Sequence, residues 1–421
     1  MTERRFTTAA AAALLALALA AAGCSSKAGT GGQGEEDAQG VRTGDGITDK
    51  VIPLGVLTDL TGVYASLGKS LTQAQQLWAK ELNAKGGICG RTVELTVRDH
   101  GYDPQKAVSA YTELEPKVAG YVQFIGSPFV AAVKQRVETQ DKGLILPQAW
   151  SASLLGSPYV RVVGATYDVE TVNALDFLLT HKKIAKGDKV GHVYFEGDYG
   201  ENALQGSRYA AEKAGLTIVE QKIKPTDNDM TAQVTALKKA GVKAVVLSAG
   251  PRQAASLVGV AAAVRFAVPI IGNNSAFSPQ LLATPAGPAL QKNYWIASST
   301  LPIGSPEPGP AALAKAYRAA YPKDALDNGV AAGYSAGKIF EEVLTRACKD
   351  KNLTREGMAE AVRSMNAFDN GFGITHDFTD PKAPSTRQSV VMQPDANTPG
   401  GLKVVQPATA SEAAESFPFG K

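Results

Sequence analysis

The residues Gly333-Tyr334-Ser335-Ala336-Gly337 fit G-x-S-x-G. In that pattern a strained turn between strand and helix lifts a serine to serve as a hydrolase nucleophile. Asp369 and His376 follow Ser335 in the chain order such a triad needs. Ser66-Leu67-Gly68-Lys69 fits S-x-x-K, but the partner motifs S-D-N and K-T-G are absent, and chance explains it better. The four histidines, His100, His181, His192 and His376, are scattered, with no H-E-x-x-H and no pair at ligand spacing, so no metal site is expected. A P-loop and a G-x-G-x-x-G after a strand are both missing, and no cofactor is expected.

Context decides the serine. An elbow needs a strand directly before it, whereas "YPKDALDNG" reads as a loop. Val330, Tyr334, Lys338 and Ile339 recur at helical intervals through "GVAAGYSAGKIFEEVLTRAC", which places Ser335 inside an amphipathic helix. Glycines at helical positions then mark close packing. The carboxylates lie mostly on helix faces or in loops, where a solvated face explains them. The sequence offers no enzyme machinery.

Elsewhere strands and helices alternate. "VIPLGVL" is a continuous apolar strand. "LTQAQQLWAKELNAKGG" is a helix with Leu71, Ala74, Leu77, Trp78 and Leu82 on one stripe, stopped by glycine. "TVELTVRD", "PQKAVSAYTELEPK", "VAGYVQFIG", "FVAAVKQRVETQDKG" and "LILPQA" continue the pattern, which restarts at "VETVNALDFLLTHK" and runs to "VPIIGNN". Repeated βα units imply parallel sheets with helices on both faces, and two runs imply two lobes.

The N-terminus carries Arg4 and Arg5, an apolar stretch too short to span a bilayer, and small residues before Cys24. Residues 1–23 read as a secretory signal and 24–49, rich in Gly, Ser and charge, as a flexible tether. A net charge of +3 provides no basic stripe for nucleic acid. With Cys24 set aside, Cys89 and Cys348 form an even pair, which in an exported protein suggests a disulfide; two buried free thiols are the alternative.

Several stretches then carry a resemblance: "IPLGVLTDLTGVYASLG", "ELNAKGGICGRTVELTVRDHGYDPQKAV", "FIGSPFVAAV", "LILPQAWSAS", "VYFEGDYGENALQG", "LKKAGVKAVVLSAGP" and "AAGYSAGKIFEEVL". They resemble the type I periplasmic binding proteins, most of all the branched-chain amino-acid (leucine/isoleucine/valine) branch of ABC-transporter substrate-binding lipoproteins. The resemblance implies an α/β fold of two doubly wound parallel-sheet lobes joined by a multi-strand hinge. Lobe 1 would cover 50–164, lobe 2 165–297, a return to lobe 1 298–372, and a segment returning to the hinge and lobe 2 373–421. It also implies a lipobox ending at Cys24, a lipid anchor as the only membrane contact, a monomer, and delivery of a small ligand to ABC permease subunits outside the cytoplasm. Cys89 and Cys348 would both fall in lobe 1. The alternatives are a sensor of the same fold and, through GYSAG, an exported serine hydrolase.

Carried over residue by residue, the ligand contacts implied are Tyr64 and Leu67 in the first loop, Ser127 and Phe129 after the third strand, and Gln148, Ala149, Trp150 and Ser151 after the fourth. Tyr199 and Asn274 follow from lobe 2. Several places depart from an amino-acid site. Leu67 stands where an aromatic is usual, Trp150 where a small residue is, and Asn273 and Asn274 where an acid commonly meets the ligand ammonium. The expected ligand therefore has a sizeable apolar or aromatic body and a carboxylate or amide end.

Overall fold

The computed structural model describes residues 35–419; the signal segment, Cys24 and the start of the tether lie outside them. Four parallel strands make the first sheet: β1 (Val51–Thr58), β2 (Thr92–Asp99), β3 (Gly120–Phe124) and β4 (Leu144–Ile145), in the order β2-β1-β3-β4. Both faces are covered, which is why β1 and β3 read as unbroken apolar runs. The connecting helices are α1 (Ala65–Ala84), α2 (Pro104–Leu114) and α3 (Ser127–Arg136). Asp103 caps α2 by accepting from the Lys106 N–H at 2.9 Å, one residue before the first-turn proline.

The second sheet has seven strands. β5 (Lys189–Phe195), β6 (Thr217–Ile223), β7 (Ala244–Ser248), β8 (Ile270–Gly272) and β9 (Tyr294–Ser298) are parallel. β10 (Ser389–Pro394) and β11 (Leu402–Thr409) add an antiparallel hairpin, giving the order β11-β10-β9-β8-β7-β5-β6. Periodicity assigned no strands to this hairpin, and the sheet is mixed rather than purely parallel. Its helices include α4 (Tyr167–Thr180), α5 (Asp198–Ala214), α6 (Thr231–Ala240), α7 (Pro251–Ala263) and α8 (Gly287–Asn293).

Between β9 and β10 the chain returns to the first lobe as α9 (Pro308–Ala320), α10 (Asn328–Lys349) and α11 (Arg355–Arg363). α10 lies along α1. A side-chain carbon on Gly333 would meet the Leu71 carbonyl oxygen at 2.5 Å, and one on Gly337 the Trp78 ring at 2.5 Å. The glycines of GYSAG are therefore packing glycines. Residues 35–49, expected to be tether, are partly a docked collar. Arg42–Thr43 pairs with Glu35–Glu36 on one side and with Asn352–Leu353 on the other, Val41 is buried in the lobe 1 core, and Asp37 forms a buried ion pair with Arg91. That guanidinium holds the Asp37 carboxyl well below the usual carboxylate range. The Gly and Ser content masked a few apolar and paired positions that suffice to anchor the segment.

Cys89 and Cys348 are joined by a disulfide between the α1–β2 turn and the end of α10. The chain crosses between the sheets three times, between Val160 and Tyr167, Ser298 and Leu301, and Ser385 and Ser389. Two serines tie the crossings together. Ser299 Oγ accepts from the Ala165 N–H at 2.8 Å and donates to the Gln388 carbonyl at 3.2 Å, while Ser385 Oγ accepts from the Gly164 N–H at 2.7 Å. Gly164 has φ +117°, and a Cβ there would stand 2.9 Å from Ser299 Cβ, so the hinge requires glycine on both counts.

Candidate ligand-binding site

Loops at the carboxyl ends of the strands face each other across the hinge, as expected where ligands enter open α/β sheets. After β1, the Asp59 carboxylate accepts from the N–H groups of Thr61 (3.2 Å), Gly62 (2.5 Å) and Tyr64 (2.8 Å). Asp99, at the end of β2, accepts from the Leu60 N–H at 2.8 Å. Gly68 lets α1 close on this loop, since a Cβ there would sit 1.9 Å from the Asp59 carbonyl oxygen. The result fixes Tyr64 at the mouth of α1 and Leu67 one turn on.

An inner chamber of about 20 Å³ lies between the lobes, lined by twelve residues, none of them charged. Six are sequence candidates: Tyr64, Leu67, Ser127, Gln148, Trp150 and Tyr199. Ser127 opens α3 behind Gly126, whose φ is +103°. Tyr199 opens α5 and packs on Tyr167 with ring centroids 4.2 Å apart. Trp150 is half-buried; its indole N–H donates to the Val163 carbonyl at 2.7 Å, which couples the chamber wall to the first hinge crossing. The Tyr64 and Tyr199 hydroxyls, Ser127 Oγ and Gln148 Oε1 are all buried without a hydrogen-bond partner. Buried polar atoms in folded proteins are rarely left so, and four converging on one space mark a place built for a polar group.

The other candidates lie elsewhere. Phe129 is buried behind the chamber against His100 and Tyr102, with centroids at 5.3 and 4.9 Å. Ala149 is core. Ser151 turns away to cap the short helix Ala152–Leu154 and lines a separate cavity with Asp198 and Asn202. Proximity in sequence to Trp150 misplaced these two, because alternate residues of an extended segment face opposite sides. Asn274 borders a second cavity rather than the inner chamber. Periodicity also passed over Tyr102, Tyr167 and Ser275, which line the chamber. Tyr167, three residues beyond the hinge glycine, was the nearest to a readable signal.

Behind Asn274 lies Glu170, fully buried in the first turn of α4. Its carboxyl accepts from Asn274 Nδ2 (2.9 Å), the Asn274 N–H (3.4 Å) and Asn273 Nδ2 (3.3 Å). Desolvation outweighs these bonds and pushes its pKa up to about 8. The phenols of Tyr64, Tyr102, Tyr167 and Tyr199 are likewise raised by burial and remain protonated donors. A raised carboxyl binds its proton more tightly in the folded chain. Stability should therefore be fully present below about pH 4.5 and fall as pH rises toward 8, by up to about 1.4 kcal/mol per pH unit. Urea midpoints should fall from pH 6 to 8 in the wild type, above the range in which Asp327, raised to about 6 by its own burial, contributes, and that fall should flatten in Glu170→Gln; identical profiles would contradict the assignment.

Ser335 is buried in the middle of α10, which has no strand before it. Its hydroxyl accepts from Asn370 Nδ2 at 2.5 Å, and that same amide reaches His376 Nε2 at 3.2 Å. Burial lowers the His376 pKa to about 4, and its Nδ1 is engaged by Ser385 Oγ at 2.9 Å. The three form a structural clasp near the hinge. Ser335→Ala should leave ligand affinity within twofold of wild type, and a serine-reactive phosphonate should fail to label the native protein.

Residues 51–399 match the family described as periplasmic binding protein. The chain is 53% identical to a structure described as a fatty acid ABC transporter substrate-binding protein from Thermomonospora curvata, with TM-score 0.89, over 90% of this chain and 97% of that one. A branched-chain amino-acid ABC transporter protein from Thermus thermophilus with bound valine shares the fold at TM-score 0.77 and 21% identity, over 88% of this chain and 99% of that one. Among curated relatives, Leu/Ile/Val-binding protein homolog 3 of Brucella melitensis is 29% identical over 199 residues, 46% of this chain; the chain spans about half (53%) of that relative's length. Homolog 8 of Brucella abortus is 23% identical over 87% of this chain and 93% of its own.

Proposed function

This chain belongs to the periplasmic binding protein family, and from that premise we propose that it is a solute-binding protein whose cleft captures an aliphatic monocarboxylic acid of the fatty-acid class for an ABC permease. The observation that carries the reading is the convergence of three hydroxyls, Tyr64 OH, Ser127 Oγ and Tyr199 OH, on one buried space where they have no hydrogen-bond partner. Three hydroxyl donors suit a carboxylate, whose charge-assisted bonds offset part of its desolvation, and Gln148 Oε1 beside them can accept from an acid that enters protonated. The amino end of α3 adds a favourable partial charge beside Ser127. No acid lines the chamber, and Glu170, neutral near pH 7, gives an ammonium nothing to pair with. An α-amino acid would bury an unpaired charge. The 53%-identical relative described as a fatty-acid binder supports the same reading.

Ligand contacts from both lobes would hold the cleft shut, and binding energy would set the closed population. The family places such proteins outside the cytoplasm. Among the described residues no helix is long and apolar enough to cross a membrane. We read Cys24 as the lipidated anchor; Cys24→Ala should accumulate as an uncleaved or mislocalised precursor, and a wholly soluble wild type with an unmodified mature N-terminus would contradict that. The function is tested by mass spectrometry of ligand released from natively purified protein. An aliphatic monocarboxylic acid is expected; recovery of leucine, isoleucine or valine would overturn the proposal.

A further inference from the structure

The inner chamber has room for about one water-sized group, so a ligand whose polar end sits there must place its body elsewhere. A second cavity, about 200 Å³, lies on the other side of Tyr64 and Leu67, which line both spaces. Its apolar walls come from both lobes: Val63 and Leu67 from the first, Pro251, Phe277, Leu281 and Leu402 from the second. None of these six offers a side-chain polar group. Leu67, half-buried between the two spaces, is the partition that a chain would pass. Gly329 at the start of α10 leaves room for it, since a Cβ there would stand 2.9 Å from Leu67 Cδ1.

We infer that the outer cavity is an acyl compartment: the ligand's carboxylate occupies the inner chamber and its hydrocarbon chain runs past Leu67 into the space between Val63 and Phe277. This rests on the reading of the site as one for aliphatic acids and adds to it a measure of chain length. Because the compartment's walls belong to both lobes, each methylene buried there also favours closure. Selectivity for length is then set by the volume left by Val63, Phe277 and Leu281, at a distance from the head-group hydroxyls. Arg252, exposed, and Asp327, buried, also line this cavity, and Arg252 offers a competing orientation with the carboxylate on its guanidinium.

The test is calorimetry on ligand-stripped protein with saturated acids from butyrate to hexadecanoate, kept below micelle formation. Affinity should rise roughly fourfold for each added methylene, the equivalent of ~0.8 kcal/mol, until the compartment is full, and then level off. Val63→Phe should move the plateau to shorter acids, with a loss that grows with chain length. Phe277→Ala should move it to longer ones, a gain that misfolding cannot imitate. Arg252→Ala should alter no acid by more than about twofold. Affinity independent of length, equal losses at all lengths in Val63→Phe with no shift in Phe277→Ala, or abolition of binding by Arg252→Ala would each overturn the acyl compartment. Failure of every acid to bind would instead remove the functional reading beneath it.

Discussion

Replacing Tyr64 and Tyr199 together by phenylalanine should weaken ligand binding by roughly 10²–10⁴ while leaving the unliganded protein as stable as wild type or more so. Each hydroxyl is a buried donor without a hydrogen-bond partner in the protein. A hydrogen bond to a charged group contributes about 1.5–3 kcal/mol, so losing two removes about 3–6 kcal/mol of binding. Replacing a buried hydroxyl that has no protein partner by an apolar ring of the same shape is close to neutral for folding. Affinity should thus fall without a fall in stability. A structural role would move both downward, so thermal unfolding of ligand-free protein beside a titration separates the two. Loss of stability with affinity unchanged would show these tyrosines to be core residues.

Opening the Cys89–Cys348 bond should produce the largest change in stability at no cost in affinity. The bond closes a loop of 259 residues. On the chain-entropy account such a loop limits the unfolded ensemble by on the order of 5 kcal/mol. The sulfurs lie beyond the far end of α1 from Tyr64, about 30 Å for a 20-residue helix, so the chamber should not sense them. The Cys89→Ser/Cys348→Ser protein should show a urea midpoint reduced in proportion and ligand affinity within twofold of wild type. An unchanged midpoint would mean that the collar and the α1–α10 contact already hold the late chain in place.

Legibility in the sequence followed the physics of each signal. The apolar runs of β1 and β3 and the stripe of α1 were readable because burial on defined faces imposes a period. The β10–β11 hairpin was not, since its tie to β9 depends on a chain reversal more than ninety residues after β9 ends. The collar was missed because Val41 and Asp37 are anchored by tertiary partners that composition cannot show. Within the proposed site, Tyr64, Trp150 and Tyr199 were reached through resemblance, and all three line the inner chamber. Glu170 was out of reach: nothing in "YDVETV" shows that its carboxyl meets Asn273 and Asn274, residues more than a hundred positions away. Its position changes the meaning of the asparagines, which are ligands of a buried neutral acid as well as replacements for a charged one.

The central claim is that the inner chamber receives a carboxylate and has no charged partner for an ammonium. Parallel calorimetric titrations of ligand-stripped protein with octanoate and with leucine at pH 7 test it most directly. Octanoate should saturate at one per chain with a negative heat-capacity change, the mark of apolar burial, and leucine should give no saturable heat into the millimolar range. Submicromolar leucine binding with octanoate inert would contradict the account.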